Sequence, residues 1–217
     1  PGTVRVDPMR KRFTDLVVGA VASVATAPVV AVLMLASWAS FRARPWFVQE
    51  RVGRGGRPFR MVKVRSLPAT VDPAIDKYQL SLVSTTRFGS FMRRFHLDEL
   101  PQLWSVVSGS MSLVGPRPEM PHLAERFAPE QREARQQFRP GCVGLWQASE
   151  HNDGLMHEHP EYDLVYAANH SFALDLYIVW RTLLMEFGGR RLRLAHVPRR
   201  LLPREIRSGA DAVGVPS

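Results

Sequence analysis

The chain contains a single cysteine, Cys142, among 217 residues. An intramolecular disulfide is therefore excluded, and the composition fits a reducing compartment. A lone cysteine also cannot supply the paired thiolates of a structural zinc site. No Walker loop or Gly-x-Gly-x-x-Gly fingerprint occurs, since the segment Gly53–Gly56 lacks the lysine and the helical pattern that follow such loops. The common nucleotide-binding loops are thus absent as well.

Acidic residues are fewer than basic ones, with 20 Asp and Glu against 29 Lys and Arg, and the net charge is therefore +9. This balance predicts anionic partners, namely phosphate esters, an acidic membrane face or nucleic acid. Nucleic-acid binding would require a recognisable motif or stacking aromatics, and the arginine-rich tail over residues 188–217 has neither. We therefore expect no nucleic acid, and attraction of this tail to anionic membrane lipids.

Charge is also missing from Leu16 to Phe41, a run of 26 residues. As a helix it would extend ~39 Å, enough for a ~30 Å hydrocarbon core. It is too long for the apolar region of a signal peptide. Two interpretations stay open, a single spanning helix and a re-entrant helix–break–helix that enters and leaves by the same face. The re-entrant form would break at Pro28, with Ser23 and Thr26 available to satisfy freed carbonyls.

Basic residues flank this run on both sides. Arg10, Lys11 and Arg12 precede it, and Arg42 and Arg44 follow it. Positive charge marks the cytoplasmic side of a membrane segment, so a single span cannot satisfy both flanks, whereas a hairpin can. For the re-entrant form we expect both termini in the cytoplasm.

The remaining pattern predicts a β-hairpin followed mainly by helices. Residues 46–51 and 58–65 have strand character, and the glycine-rich segment 53–56 predicts the turn between them. We expect a loop or mobile lid over residues 67–86. The pattern of residues 121–137 predicts a surface helix that is broken near Pro129. The pattern of residues 162–187 predicts one helix, whose apolar face packs in a core or lies in a membrane interface.

Two adjacent acids, Asp98 and Glu99, are the main candidate for chemistry. Pro101 predicts the start of a helix that runs to Ser108 and is capped by Gly109, which would place Asp98 near the N-cap. An ordinary cap is the simple interpretation of such a residue. Arginines 93, 94 and 117 stand on either side of the pair, however. A carboxylate can attack phosphorus or hold a metal ion, while guanidinium groups bind phosphate oxygens.

The stretch Phe91–Pro118 resembles the bacterial sugar transferases, the small monotopic phosphoglycosyl transferases. The resemblance is carried mainly by Leu97–Leu103 and Val114–Pro118, and it extends over about Lys11 to Thr182. It implies an α+β fold with three parts. These are a re-entrant membrane helical hairpin (11–44), a mainly helical catalytic domain with a small β-hairpin and interfacial amphipathic helices (45–187), and a basic C-terminal tail (188–217).

The resemblance also implies a reaction. Asp98 would attack the β-phosphate of a nucleoside-diphosphate sugar, UDP-linked by expectation, and a polyprenyl phosphate would then accept the sugar phosphate. Glu99 would bind Mg²⁺. The segment from Arg139 to Gln147 resembles the family element Arg-Pro-Gly-x-x-Gly-x-x-Gln of the nucleotide-sugar pocket. The implied phosphate- and nucleotide-binding residues are Lys63, Arg65, Arg93, Pro116, Arg117, Arg139 and Gln147.

The implied location is the cytoplasmic face of the bacterial inner membrane, and a homodimer stays open. The chain departs from its relatives at Ala27-Pro28 and at Ser149–His151, where sugar or lipid specificity is expected to differ. His151, His157 and His159 are expected to be solvated rather than metal-binding. The main alternative is a non-catalytic basic membrane-surface protein that binds a partner or the polyprenyl carrier. Glycoside hydrolysis is disfavoured because adjacent acids rarely flank a sugar from opposite sides.

Overall fold

A computed structural model describes residues 8–72, 75 and 83–202. The predicted lid over 67–86 and the predicted tail over 188–217 therefore lie partly outside the described residues. The helices are α1 Pro8–Phe41, α2 Arg87–Arg94, α3 Gln102–Ser108, α4 Pro121–Ala124, α5 Pro129–Gln136, α6 Glu161–Asn169 and α7 Phe172–Glu186. The strands are β1 Trp46–Val52, β2 Pro58–Val64, β3 Ser112–Val114 and β4 Gly141–Val143. The mixed helix-and-sheet class is confirmed.

Helix α1 runs through Pro28 as one element of 34 residues. The predicted division into two helices at Pro28 is therefore wrong, whereas the bend expected there stays a prediction, since a proline can bend a helix that remains continuous. Proline removes one backbone donor, and a long apolar helix tolerates this loss when nearby hydroxyls share the local carbonyls. Thr26 donates from its Oγ1 to the carbonyl of Ala22 at 2.7 Å, two residues before the Val24 carbonyl that Pro28 leaves without its helical donor. The re-entrant membrane topology is a separate matter and stays a prediction.

One narrow face of α1 is buried along nearly its whole length. Asp15, Ser23, Leu33 and Ser37 lie on this face, and each is at most 8% exposed. The opposite face is apolar and open, with the exposed side chains Val17, Val18, Val21, Val24, Val29, Val32, Leu35 and Trp38. Among the described residues, α1 is the one helix long and apolar enough to cross a membrane. The other residues that the structure describes thus pack along α1 and leave its apolar face uncovered.

Both ends of α1 are fixed to the same domain. Near its start, the Arg12 guanidinium donates to the carbonyls of Val106 at 2.6 Å and Val107 at 2.8 Å, which satisfies the open end of α3. Near its end, Ser37 Oγ donates to the carbonyl of Arg65 at 2.7 Å. These two contacts join the first and the last part of α1 to the same domain.

The sheets are small and the core is shared among several elements. Strands β1 and β2 form the predicted antiparallel hairpin, with Trp46 opposite Val64, and β3 pairs with β4 in parallel. The largest apolar cluster includes Trp146, Tyr166, Leu174 and Ile178. A second cluster joins α1, β2 and α2 through buried Leu33, Val64 and Met92. The hairpin and α2 thereby pack against α1.

The helix predicted over 162–187 is two helices, α6 and α7. Ser171 divides them because its side chain accepts a hydrogen bond from the Leu174 N–H and caps α7. Along α7 and just past its end, an apolar stripe is exposed at Phe172, Leu176, Trp180, Leu183 and Phe187. Beyond α7, Leu192 and Val197 are buried in the core, so the start of the predicted tail packs on the domain.

Candidate active site

Asp98 and Glu99 lie in a short 3₁₀ turn, Leu97–Glu99, between α2 and α3. The predicted helix is confirmed, since α3 starts after Pro101 and ends at Gly109, whose φ of 89° only glycine adopts easily. The N-cap role predicted for Asp98 is wrong, because Pro101 holds that position. His96, at φ 53°, turns the chain from α2 into the acidic turn. The acids are therefore free of capping and face other side chains.

Asp98 is nearly buried, with 8% of its surface exposed. Its Oδ2 accepts a hydrogen bond from Ser66 Oγ at 3.2 Å. Burial raises the pKa of the Asp98 carboxyl above its ordinary value, and the attraction of Lys63 offsets this only in part. A poorly solvated carboxylate of raised basicity is suited to nucleophilic attack.

Glu99 has the opposite electrostatic setting. Its Oε1 lies 2.5 Å from Lys63 Nζ and 3.5 Å from Arg117 Nη2. Burial alone would raise the pKa of Glu99, but Lys63 and Arg117 hold that pKa well below its ordinary value. Glu99 is therefore a permanent anion between two cations. The two neighbouring acids have different partners and suit different roles.

Arg117 is held in place through its backbone. It stands between two prolines, which restrict the chain on either side. Arg135 donates to the carbonyl of Arg117 at 2.7 Å, and Arg51 donates to the carbonyl of Pro118 at 3.3 Å. Burial lowers the pKa of Arg135 to about 10, which still leaves it cationic at neutral pH. The guanidinium of Arg117 thus extends from a rigid segment.

These side chains line one cavity of about 180 Å³. Lys63, Arg93, Arg117, Asp98 and Glu99 all lie at its wall. Within the described residues, the guanidinium group of Arg93 makes no hydrogen bond or ion pair and so is available to an anion. The further lining residues are Phe47, Gln49, Arg51, Val64, Ser66, Leu67, Ile75 and His96. The cavity combines a buried carboxylate with a surplus of cations, which is the setting that phosphoryl transfer needs.

Three predicted binding residues lie outside the lining of this cavity. Arg65 donates from Nε to the carbonyl of Arg44 at 2.8 Å. Gln147 donates from Nε2 to the carbonyl of Cys142 at 3.2 Å. Pro116 lines a small neighbouring cavity of about 30 Å³. Their predicted contacts with the nucleotide stay predictions.

Arg139 also lies elsewhere, at the wall of a second cavity of about 440 Å³. Its Nε donates to the carbonyl of Gly109 at 2.9 Å, just beyond α3. Its predicted role toward the nucleotide sugar also stays a prediction.

Sequence reasoning missed Ser66, His96, Gln49 and Arg51. Ser66 stands next to Arg65, inside a segment already compared with the family, so its motif position was an available signal. Gln49 lies two residues from Phe47, the hairpin partner of Lys63, and therefore shares the face of Lys63. Only the register of the hairpin reveals that relation.

The comparisons with known proteins agree with this geometry. A sequence model of the bacterial sugar transferases matches residues 6–189. The chain belongs to the bacterial sugar transferase family. The acidic turn and the cationic cavity both lie within the matched part of this sugar transferase.

Three relatives illustrate the range of the family. A UDP-galactose-lipid carrier transferase of Erwinia amylovora is 35% identical over 189 residues, 80% of this chain and 39% of that protein. A UDP-glucose:undecaprenyl-phosphate glucose-1-phosphate transferase of Caulobacter vibrioides is 36% identical over 187 residues, 82% of this chain and 70% of that protein. The exopolysaccharide production protein ExoY of Sinorhizobium fredii is 30% identical over 199 residues, 84% of this chain and 88% of that protein. This chain therefore spans well under half of the Erwinia relative and most of the other two.

The acidic turn fits Mg²⁺ only in combination with a substrate. Among the residues described, no group of three or more His, Cys, Asp or Glu side chains is arranged to hold a metal ion. Mg²⁺ commonly binds through one or two carboxylates and takes its other ligands from substrate phosphates and water. Glu99 and Asp98 supply such carboxylates beside the cavity. The carboxylates present are thus compatible with a Mg²⁺ ion whose remaining ligands come from a diphosphate and water.

Proposed function

We propose that this sugar transferase moves a sugar 1-phosphate from a UDP-sugar to a polyprenyl phosphate, with Asp98 as the covalent nucleophile. The observation that carries the proposal is the position of Asp98, buried at the wall of a cavity lined by Lys63, Arg93 and Arg117. The names of the relatives from Erwinia and Caulobacter support a UDP-sugar donor and, for the latter, an undecaprenyl phosphate acceptor. The reaction would be a first membrane step of glycoconjugate assembly.

The transfer divides into two displacements at one phosphorus atom. In the first, an oxygen of Asp98 bonds to the β-phosphorus while the bond to the bridging oxygen breaks and UMP leaves with the electron pair. In the second, a phosphate oxygen of the polyprenyl phosphate bonds to the same phosphorus, and Asp98 leaves as the free carboxylate. Covalent catalysis of this kind replaces one difficult transfer by two easier ones.

The cations of the cavity would neutralise the charge that moves between these groups. Arg93, which has no partner in the described part of the chain, and Arg117, which lies on a rigid segment, are placed to bind phosphate oxygens. Lys63 keeps Glu99 ionised and fixed. Bound Mg²⁺, with Glu99 as its protein ligand, would supply further charge neutralisation at the diphosphate.

The same arrangement supports attachment to one face of a membrane. A domain that packs along α1 and grips both its ends cannot lie on both sides of a bilayer. We infer that α1 enters the membrane with its exposed apolar face and returns its flanks to the cytoplasmic side. The exposed stripe of α7 would lie in the interface. Protease protection in sealed vesicles tests this topology, and protection of residues on only one flank of α1 would contradict it.

The activity is tested by incubating the purified protein with polyprenyl phosphate, Mg²⁺ and a panel of UDP-sugars. We expect UMP release together with a lipid-linked sugar phosphate for at least one sugar. The departure at Ser149–His151 makes the identity of that sugar an open part of the screen. Absence of UMP release with every donor would contradict the proposal and favour a non-catalytic membrane-surface protein.

A further inference from the structure

The second cavity lies between the turn of the β-hairpin and the end of α3. Its volume is about 440 Å³. It is lined by Gly53, Arg54, Gly55, Arg57, Pro58, Phe59, Gly109, Ser110 and Arg139. We call it the arginine cleft. It is open on one side and has no carboxylate among these lining residues.

The arginine cleft carries more positive than negative charge, and in the described structure only Arg139 is partly offset by an acid, Asp15. The side chains of Arg54 and Arg57 are exposed, and within the described part of the chain neither guanidinium group makes a hydrogen bond or an ion pair. Arg139 uses its Nε on the Gly109 carbonyl. Burial lowers the pKa of Arg139, and the positive charges of Arg12 and Arg54 lower it further. Guanidinium groups that repel one another around an open space suit an anion with several oxygens, such as phosphate.

This cleft is separate from the Asp98 cavity. Pro58 of β2 lies at the wall of the arginine cleft, and Lys63, five residues further along β2, lies at the wall of the Asp98 cavity. At ~3.3 Å per residue these positions are about 17 Å apart. An apolar cluster that includes Met61, Val106 and Met111 occupies the intervening part of the strand and of α3. A phosphate group that reacts at Asp98 cannot at the same time occupy the arginine cleft.

The cleft also adjoins the basic flank of the membrane helix. A Cβ atom on Gly109 would lie 3.2 Å from the Arg12 guanidinium, so Arg12 stands directly behind this wall. The uncharged run of α1 begins at Leu16, about one helical turn further along. Lipid phosphates lie at this depth beside a membrane segment, and Arg side chains at such flanks attract them.

We propose that the arginine cleft is a second anion site, which binds a phosphate group through Arg54, Arg57 and Arg139. The group belongs either to the headgroup of an anionic phospholipid or to a soluble phosphate ester. This site does not depend on the proposed transfer reaction, since the carboxylates of the active site lie outside it.

The test uses the full chain in detergent with Asp98→Asn, so that turnover cannot consume a ligand. Native mass spectrometry measures the retention of phosphatidylglycerol and of phosphatidylcholine. Thermal unfolding measures stabilisation by inorganic phosphate at an ionic strength matched with chloride. Each measurement is repeated with Arg54→Gln/Arg57→Gln and with the control Arg126→Gln, an exposed arginine outside the cleft.

We expect the double variant to retain at least about fivefold less phosphatidylglycerol than the Asp98→Asn protein. Arg126→Gln should retain as much as that protein, and inorganic phosphate should displace the lipid. This result assigns a lipid headgroup. Stabilisation by phosphate that depends on Arg54 and Arg57, without lipid retention, also supports the site and assigns a soluble ester. Equal lipid retention and equal stabilisation in all three proteins would overturn the proposal and leave a solvated basic surface.

Discussion

The Asp98 cavity and the arginine cleft are both cationic, but they differ in how their charge is balanced. In the first, Glu99 pairs with Lys63 and Arg117, and the buried Asp98 lies beside them. In the second, Arg54, Arg57 and Arg139 face open space with no acid at the wall. From this comparison we expect the cations of the arginine cleft to bind an anion, and we expect reactivity only where a buried carboxylate lies among cations.

The largest effect is expected from removing the carboxylate that distinguishes the two cavities. Asp98→Asn should reduce the rate of sugar phosphate transfer by at least about 10³-fold, since the covalent intermediate cannot form without its nucleophile. The amide has nearly the same size and can still accept from Ser66, so the thermal unfolding curve should stay close to that of the wild type. UMP release assays measure the effect, with Arg126→Gln as the control. Retention of more than a tenth of the activity would contradict the role of Asp98.

The next effect concerns the charge balance of the first cavity. Lys63→Met leaves Glu99 with Arg117 at 3.5 Å as its remaining close cation in the described structure. Activity should fall about 100-fold, at the lower end of the range for loss of one preorganised electrostatic contact. Stability should fall by about 1–3 kcal/mol, because a half-buried carboxylate loses its closest partner. Kinetics and chemical denaturation measure the two effects. Full activity would show that the pair is structural only.

A smaller effect is expected at Ser66, which positions Asp98. Its hydrogen bond stabilises the ionised carboxylate and so lowers the pKa of Asp98. Ser66→Ala should therefore raise that pKa further. The acid limb of the pH–rate profile should move to higher pH, and kcat should fall about tenfold, the size of one such hydrogen bond. Ser66→Thr keeps the hydroxyl and should recover part of the activity. An unchanged pH profile would contradict the positioning role.

The smallest effect tests the apolar wall between the two cavities. Cys142 packs against the cluster that includes Met61, Val106 and Met111, and burial raises the pKa of its thiol to about 12. With its pKa raised in this way the thiol is almost entirely protonated at pH 8, so alkylation by iodoacetamide should be slower than in the urea-unfolded chain. Mass spectrometry over time measures both rates. Equal rates would show that the wall is open to solvent.

Elements set by local signals were predictable from the sequence. The glycine cap at Gly109, the break at Pro129 and the alternation in β2 each depend on a few neighbouring residues, and the structure confirms them. The candidate site was predictable for the same reason, because Asp98 and Glu99 are adjacent in the sequence and Arg93 and Arg117 stand on either side of them.

Relations between distant segments were not predictable. Ser66 reaches Asp98 only because β2 and the acidic turn pack together, and Arg139 faces a different cavity because it bonds the end of α3. The helix through Pro28 is a related case. A proline predicts a break locally, but a domain packed along α1 supports the helix on both sides of that residue.

Covalent capture of the donor tests the central claim most directly. The protein is incubated with a UDP-sugar that carries a radiolabel in the sugar, without polyprenyl phosphate, and is then quenched and digested. We predict that the label lies on the peptide containing Asp98, and that adding polyprenyl phosphate before the quench removes it. Release of UMP only when both substrates are present, with no labelled peptide, would contradict a covalent intermediate on Asp98.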